Sequence, residues 1–209
     1  MRAGKVKATA DRSDAVSGSG NLGAFDVVSA EQLSAMKFNT LKLPAPFSGL
    51  LGEPFQPFYM MIYGRRFQGK STVALCLANA LAKVGKKVLF VSNEEGLQGS
   101  LQEKIKRLKV DQHIDFVQDF HEGQLKQYDV VFMDSVQTIG LKVEQFQAFK
   151  QRYPNCSIVM IFKQNRDGSS KGGSDWEHDV DAIMKVEDRS ATMEKNRFPK
   201  AKPKTYKIF

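Results

Sequence analysis

Cysteine is scarce in this 209-residue chain, which has two, and Cys76 and Cys156 offer no disulfide framework. Each sits in or beside an apolar stretch, as a small buried hydrophobe does. His113, His121 and His178 lack the spacing of metal ligands, which argues against zinc chemistry. No apolar run approaches the about 20 residues that cross a bilayer. The opening Met1-Arg2-Ala3-Gly4-Lys5 lacks the apolar centre of a secretion signal. These absences point away from membrane-spanning and disulfide-stapled secreted proteins, and the expectation is a cytoplasmic one with no membrane partner.

Acid is also in deficit: 23 Asp and Glu stand against 31 Lys and Arg, a formal charge of +8. An excess of this size favours a polyanionic partner, nucleic acid first, although a merely soluble Lys-rich surface has the same composition. The length suits one α/β domain with a well-buried core. Residues 1–24 hold almost no large apolar side chain and are expected to form a flexible polar and basic tail. Residues 25–209 are expected to form a single domain. Ser29-Ala30-Glu31-Gln32 has the spacing of a capping box and opens a short helix toward Lys37. The Pro-rich 41–56 stretch reads as a lead-in loop that packs Phe47, Leu50 and Leu51 near the strand that follows.

What the chain does contain is Gly64-Arg65-Arg66-Phe67-Gln68-Gly69-Lys70-Ser71-Thr72, a phosphate-loop pattern. Apolar Phe58 to Ile62 precede it as a buried strand, and an Ala/Leu-rich helix follows to Val84, stopped by Gly85. In such a loop the backbone N–H groups wrap phosphates, Lys70 reaches the β- and γ-phosphates, and Ser71 offers its hydroxyl to Mg²⁺. ATP and Mg²⁺ are therefore the expected cofactors.

A second buried strand, Lys87 to Ser92, delivers Glu94 and Glu95 at its carboxyl end, where open parallel sheets bind ligands. Spacing alone leaves three readings: Glu94 as general base, Glu95 as general base, or two glutamates that open the next helix. Leu97 to Lys109 reads as a basic-faced helix and Ile114 to Val117 as a third strand. Tyr128 to Ser135 is an apolar strand that ends in Asp134, a Walker B pattern for a Mg²⁺ site shared with Ser71. Val143 to Arg152 is expected as a helix with Phe146 and Phe149 toward the sheet, then Ser157 to Phe162 as a fifth strand. Beyond it lies a polar, Gly-rich segment with Arg166 and Lys171, read as a mobile loop that touches a DNA phosphate backbone, or as a plain solvated loop. Ala182 to Val186, Thr192 to Asn196 and Thr205 to Phe209 complete the chain as strands.

This order of motifs resembles the RecA-like ATPase core, in the branch that contains the RadA (Sms) recombination ATPases and the DnaB replicative helicases. The resemblance runs from about Phe47 onward. Val88 to Glu95 looks like the RadA strand that ends in paired glutamates, and Met133-Asp134-Ser135-Val136-Gln137-Thr138-Ile139 like its Walker B segment. Asp175-Trp176-Glu177-His178-Asp179-Val180-Asp181 resembles the segment after the DNA-facing loop, and Lys195-Asn196-Arg197-Phe198 matches the RadA K-N-R-F motif. Pro199 stands where that motif continues with Gly. The sensor position, usually Gln or His, falls on Lys163 with Gln164 beside it. The expectation is a core without the zinc finger and protease-like domain of RadA or the helical domain of DnaB, as a phage or mobile element would encode.

The resemblance implies a RecA-like P-loop NTPase: a mostly parallel twisted sheet flanked by helices, with antiparallel strands at the C-terminal end. It selects Glu94 as the base. It further implies a self-assembling, helicase-like ATPase, ring or filament, that acts on single-stranded DNA in recombination or replication, alongside a replication or recombination protein partner. Lys195 and Arg197 would then reach a neighbouring subunit's nucleotide. One alternative is an ATP-gated assembly module whose partner is protein. A small-molecule kinase is the other, disfavoured by the lack of a lid segment and by the Lys195 to Phe198 match.

Overall fold

The computed structural model describes residues 27–202 and 205–207, so the expected tail at 1–24 lies outside the described residues. The chain divides at Phe38/Asn39, within the domain expected from residue 25 onward. On the first side of that division stands α1 (Ala30–Ala35), opened by the expected capping box: Ser29 Oγ accepts from Gln32 N at 3.1 Å, and Gln32 Oε1 accepts from Ser29 N at 2.8 Å. It stops at Ala35, short of Lys37.

The described residues from 39 onward form an α/β/α layer structure. The elements run α2 (Phe47–Leu50), β1 (Tyr59–Gly64), α3 (Lys70–Lys83), β2 (Val88–Ser92), α4 (Gly99–Leu108), β3 (Ile114–Val117), a 3-10 turn (Glu122–Lys126), β4 (Val130–Asp134) and α5 (Val136–Ile139). Then follow α6 (Val143–Arg152), β5 (Ser157–Lys163), α7 (Ser174–Asp179), β6 (Ala182–Glu187), β7 (Ser190–Asn196) and β8 (Thr205–Lys207). The strands make one sheet in the order β3-β2-β4-β5-β1-β6-β7-β8. The first six in that order are parallel, and β7 and β8 are antiparallel additions. The fold class expected from the sequence is the one observed.

Alternation along the central strands divides the core between two faces, because successive strand side chains point opposite ways. Met60, Ile62, Phe90, Phe132, Val159 and Ile161 face one way, against Val73, Leu77 and Leu81 of α3 and against Phe47, Leu50 and Leu51 of the lead-in. Met61, Leu89, Val131, Met133, Ile158 and Met160 face the other, against Phe146 and Phe149 of α6 and Trp176 of α7. Trp176 stacks on Phe146 with centroids 5.4 Å apart and meets Phe162 edge-on at 5.1 Å. Pairs of this kind are worth about 0.5–1.5 kcal/mol each beyond area burial, enough to fix so short a helix on the sheet. Among the described residues no helix is long and apolar enough to cross a membrane.

Candidate functional site

Four of the parallel strands bring their carboxyl ends together. β1 ends at Gly64, β2 at Ser92, β4 at Asp134 and β5 at Lys163, and the register pairs Ser92 with Asp134 and Gly64 with Lys163. Residues separated by up to about a hundred positions in the chain thus meet on one rim of the sheet.

The Gly64 to Ser71 loop joins β1 to α3. A Cβ at Gly64 would sit 2.1 Å from the Val186 carbonyl oxygen, so only glycine lets β1 run this close to β6. Gly69 sits at φ 103° as the N-cap of α3, the left-handed turn that starts the helix at Lys70. The loop is tied down at its far end, where Gln68 Oε1 accepts from Asp188 N at 2.7 Å in the turn between β6 and β7. Lys70 Nζ donates to the Arg65 carbonyl at 2.8 Å. Burial pushes the Lys70 ammonium below its ordinary pKa, and the charges of Asp134 and Glu94 oppose that shift.

Asp134 is 7% exposed and hydrogen-bonded to Ser71. Burial holds its carboxyl above the usual range, with Glu94 adding to the effect and Ser71 and Lys70 acting against it. The peptide that follows, Asp134–Ser135, is cis. Ser71 and Asp134 make an all-oxygen, hard donor pair next to a phosphate loop, which suits Mg²⁺ completed by phosphate oxygens and water. Among the described residues no group of three or more His, Cys, Asp or Glu is placed to hold a metal unaided.

The two glutamates after β2 part company. The backbone N–H groups of Asn93 and Glu94 donate to the Asp134 carbonyl at 2.9 and 3.1 Å, which pins this turn to the Walker B strand. Glu94 Oε1 then lies 3.2 Å from Lys163 Nζ, on the rim beside the phosphate loop. Glu95 turns away to Lys104 Nζ at 2.6 Å. Burial pushes Glu95 up, but hydrogen bonds from Lys104 and Ser100 outweigh it and hold its carboxyl below the usual range.

Lys163 is itself held by a residue that spacing leaves without a role: Gln137 Oε1, on α5, accepts from Lys163 N at 3.2 Å. Its place in the Walker B segment was the one available signal. The expected mobile loop after β5 is closed on itself. Lys171 N donates to the Lys163 carbonyl at 2.8 Å, Asn165 N to Ser169 O at 2.8 Å, and Asp167 accepts from Ser169 N at 2.9 Å. Arg166 and Lys171 leave this loop beside Arg65, Arg66 and Lys163, and together they line a cavity of about 700 Å³.

Lys195 and Arg197 are not on this rim. Asn196 pairs with Ala182 and Ala182 with Met60, so the motif stands level with the start of β1, roughly a strand length of 20 Å from the phosphate loop. Neither side chain is brought to the nucleotide site of its own subunit. Within the motif, Asn196 Nδ2 donates to the Leu50 and Leu51 carbonyls at 3.1 and 3.3 Å. Phe198 is buried edge-on against Phe58 with centroids 6.0 Å apart. Lys195 Nζ donates to the Glu177 carbonyl at 2.6 Å, at the end of α7. Burial and the neighbouring Arg197 lower the Lys195 pKa. These three anchors leave Arg197 as the outward member, 60% exposed and 3.9 Å from Asp181.

Comparison with known proteins finds similarity in sequence and in fold. The family model for an AAA domain matches residues 56–146, from the end of the lead-in to α6. The DNA repair protein RadA of Campylobacter jejuni is 29% identical over 167 residues, covering 66% of this chain and 37% of that protein. The chain thus corresponds to little more than a third of that relative's length. A KaiC-like protein of Pyrococcus horikoshii shares the fold with a TM-score of 0.61 at 14% identity, over 81% of this chain and 94% of that one. By its site motifs, its fold and its similarity to RadA, the chain resembles RecA-like P-loop ATPase cores.

Proposed function

We propose that this protein hydrolyses ATP at the carboxyl rim of its sheet and couples hydrolysis to single-stranded DNA, in recombination or replication, as a self-assembling motor or switch in the cytoplasm. The observation that carries the reading is the meeting of Lys70, Ser71, Glu94 and Asp134 on one rim, with a basic loop alongside. The loop backbone wraps the triphosphate, Lys70 balances its charge, and Glu94 takes the proton of the attacking water. Ser71 and Asp134 would hold Mg²⁺, which when bound would supply positive charge beside the phosphate oxygens. The reach of the Lys163 ammonium to Glu94 supports Lys163 over Gln164 as the γ-phosphate sensor.

Arg166 and Lys171 supply phosphate contacts for DNA, which fix position and affinity without reading sequence. Arg197 acts in trans: its distance from its own loop and its outward exposure support delivery to a neighbour's nucleotide. Lys195 supports that arm through its bond to α7. The similarity to a DNA repair protein favours DNA over a protein partner as the substrate. The test is turnover of ATP with and without single-stranded DNA, with oligomer size measured in the same samples. DNA-stimulated turnover in an assembled species supports the reading, and failure to bind DNA at moderate salt overturns it.

A further inference from the structure

The phosphate loop carries three side chains that a triphosphate does not need. Arg65, Arg66 and Phe67 are all exposed, and Phe67 is 98% exposed at φ 63°, a conformation bulky residues rarely adopt. Arg65 and Arg66 share a cavity with Lys163, Gln164, Asn165, Arg166 and Lys171. Five of these seven residues are cations and none is an acid. Among the described residues only Lys163 of the five makes an ion pair, with Glu94. Arg65 also lies in the field of Glu187, whose carboxylate is held by Lys185 at 2.9 Å. Gln164, one of the lining residues, has its Oε1 buried with no hydrogen-bond partner, while its Nε2 donates to Gly168 O at 2.6 Å. This much positive charge exceeds what a metal-bound triphosphate at Lys70 leaves to be balanced.

We infer that the outer side chains of the phosphate loop form part of the DNA surface: Arg65 and Arg66 bind the backbone of single-stranded DNA jointly with Arg166 and Lys171, and Phe67 stacks on a base. The inference rests on the DNA reading above and extends it to the nucleotide loop itself. One loop then serves two ligands, its backbone and Lys70 the triphosphate and its exposed side chains the strand. Basic side chains next to an exposed aromatic are the combination that holds single strands without sequence preference. An acidic protein segment would use the cations but leave Phe67 without a partner.

The test compares full-length wild type with Arg65→Ala/Arg66→Ala, Phe67→Ala and Arg166→Ala/Lys171→Ala. Binding is read by fluorescence anisotropy of oligo(dT) of about 30 nucleotides, of an abasic strand of equal length, and of a fluorescent ATP analogue. For the double arginine variant, the loss in oligo(dT) affinity should exceed the loss in ATP-analogue affinity by about tenfold, with a shallower salt dependence. Phe67→Ala should narrow the preference for oligo(dT) over the abasic strand by about fivefold or more. Equal losses for both ligands would assign the arginines to the triphosphate and overturn the inference. Full DNA binding by the Arg65→Ala/Arg66→Ala protein, with binding lost in Arg166→Ala/Lys171→Ala, would overturn it while leaving the DNA reading intact. Wild type that binds no oligo(dT) would overturn both, and displacement of oligo(dT) by polyglutamate at equal charge would make an acidic protein segment the occupant.

Discussion

Lys163 Nζ lies 3.2 Å from Glu94 Oε1, an ion pair between the end of β5 and the turn after β2, at the rim where the phosphate loop begins. On the proposed function, an arriving γ-phosphate would compete with Glu94 for the Lys163 ammonium.

Glu94→Gln should keep ATP binding and lose turnover by about a hundredfold or more, the usual worth of a positioned general base. Glu95→Gln should retain turnover, because Glu95 is committed to Lys104 at 2.6 Å. Steady-state hydrolysis by both variants, with binding of a fluorescent ATP analogue as the control, decides it. A dead Glu95→Gln beside an active Glu94→Gln reverses the assignment.

Lys70→Ala should lose most nucleotide binding, since the triphosphate then loses its main side-chain cation. Calorimetric titration with ATP and Mg²⁺ measures this, and wild-type affinity would remove Lys70 from the site.

Asp134→Asn should abolish hydrolysis and yet raise thermal stability at neutral pH. Burial raises the folded-state pKa of Asp134 above its ordinary 3.8, so the ionised carboxylate costs folding energy at pH 7. That cost shrinks as pH falls through the raised value and is gone below 3.8, where both states are protonated. The advantage of the variant should therefore fade on acidification. For a chain of this size each kcal/mol relieved moves Tm by about 2–4 °C. Scanning calorimetry of both proteins between neutral and acidic pH is the check, and a lower Tm for the variant at pH 7 would contradict it.

Arg166→Ala/Lys171→Ala should weaken single-stranded DNA binding for every sequence alike. Loss of two phosphate contacts lowers the slope of log affinity against log salt by about 1.4. An unchanged slope would move the DNA surface elsewhere, most directly to Lys200 and Lys202.

Arg197→Ala should bind ATP but hydrolyse it slowly, as an arginine supplied in trans is worth about 10³ to 10⁵ in rate. Mixed with Lys70→Ala protein under conditions that let subunits exchange, it should regain activity at interfaces that pair an intact loop with an intact arginine. Full turnover by Arg197→Ala, or by a strictly monomeric wild type, would exclude the trans arrangement.

Local pattern carried much of the fold. The helix expected from Val143 to Arg152 and the strand from Ile114 to Val117 are observed with those bounds, because apolar periodicity and flanking turn residues act within a few positions. α2, α5 and α7, together with the 3-10 turn, were not assigned as elements, since four to six residues hold too little periodicity to register. They persist through contacts with distant residues, as Trp176 does against Phe146 and Phe162.

By itself the sequence determined the phosphate loop, the strand that ends in Asp134 and the class of sheet that carries them, all set by short-range spacing and backbone chemistry. Spacing treats the adjacent carboxylates of Glu94 and Glu95 alike, and only the tertiary structure draws them apart, Glu95 to Lys104 and Glu94 to Lys163. It likewise decided that Lys195 and Arg197 stand at the far end of the sheet from Lys70, because antiparallel β7 carries its end back past β6. Pairing between strands distant in the chain is a property of the folded molecule, and it alone brings Arg65 and Arg66 beside Arg166 and Lys171.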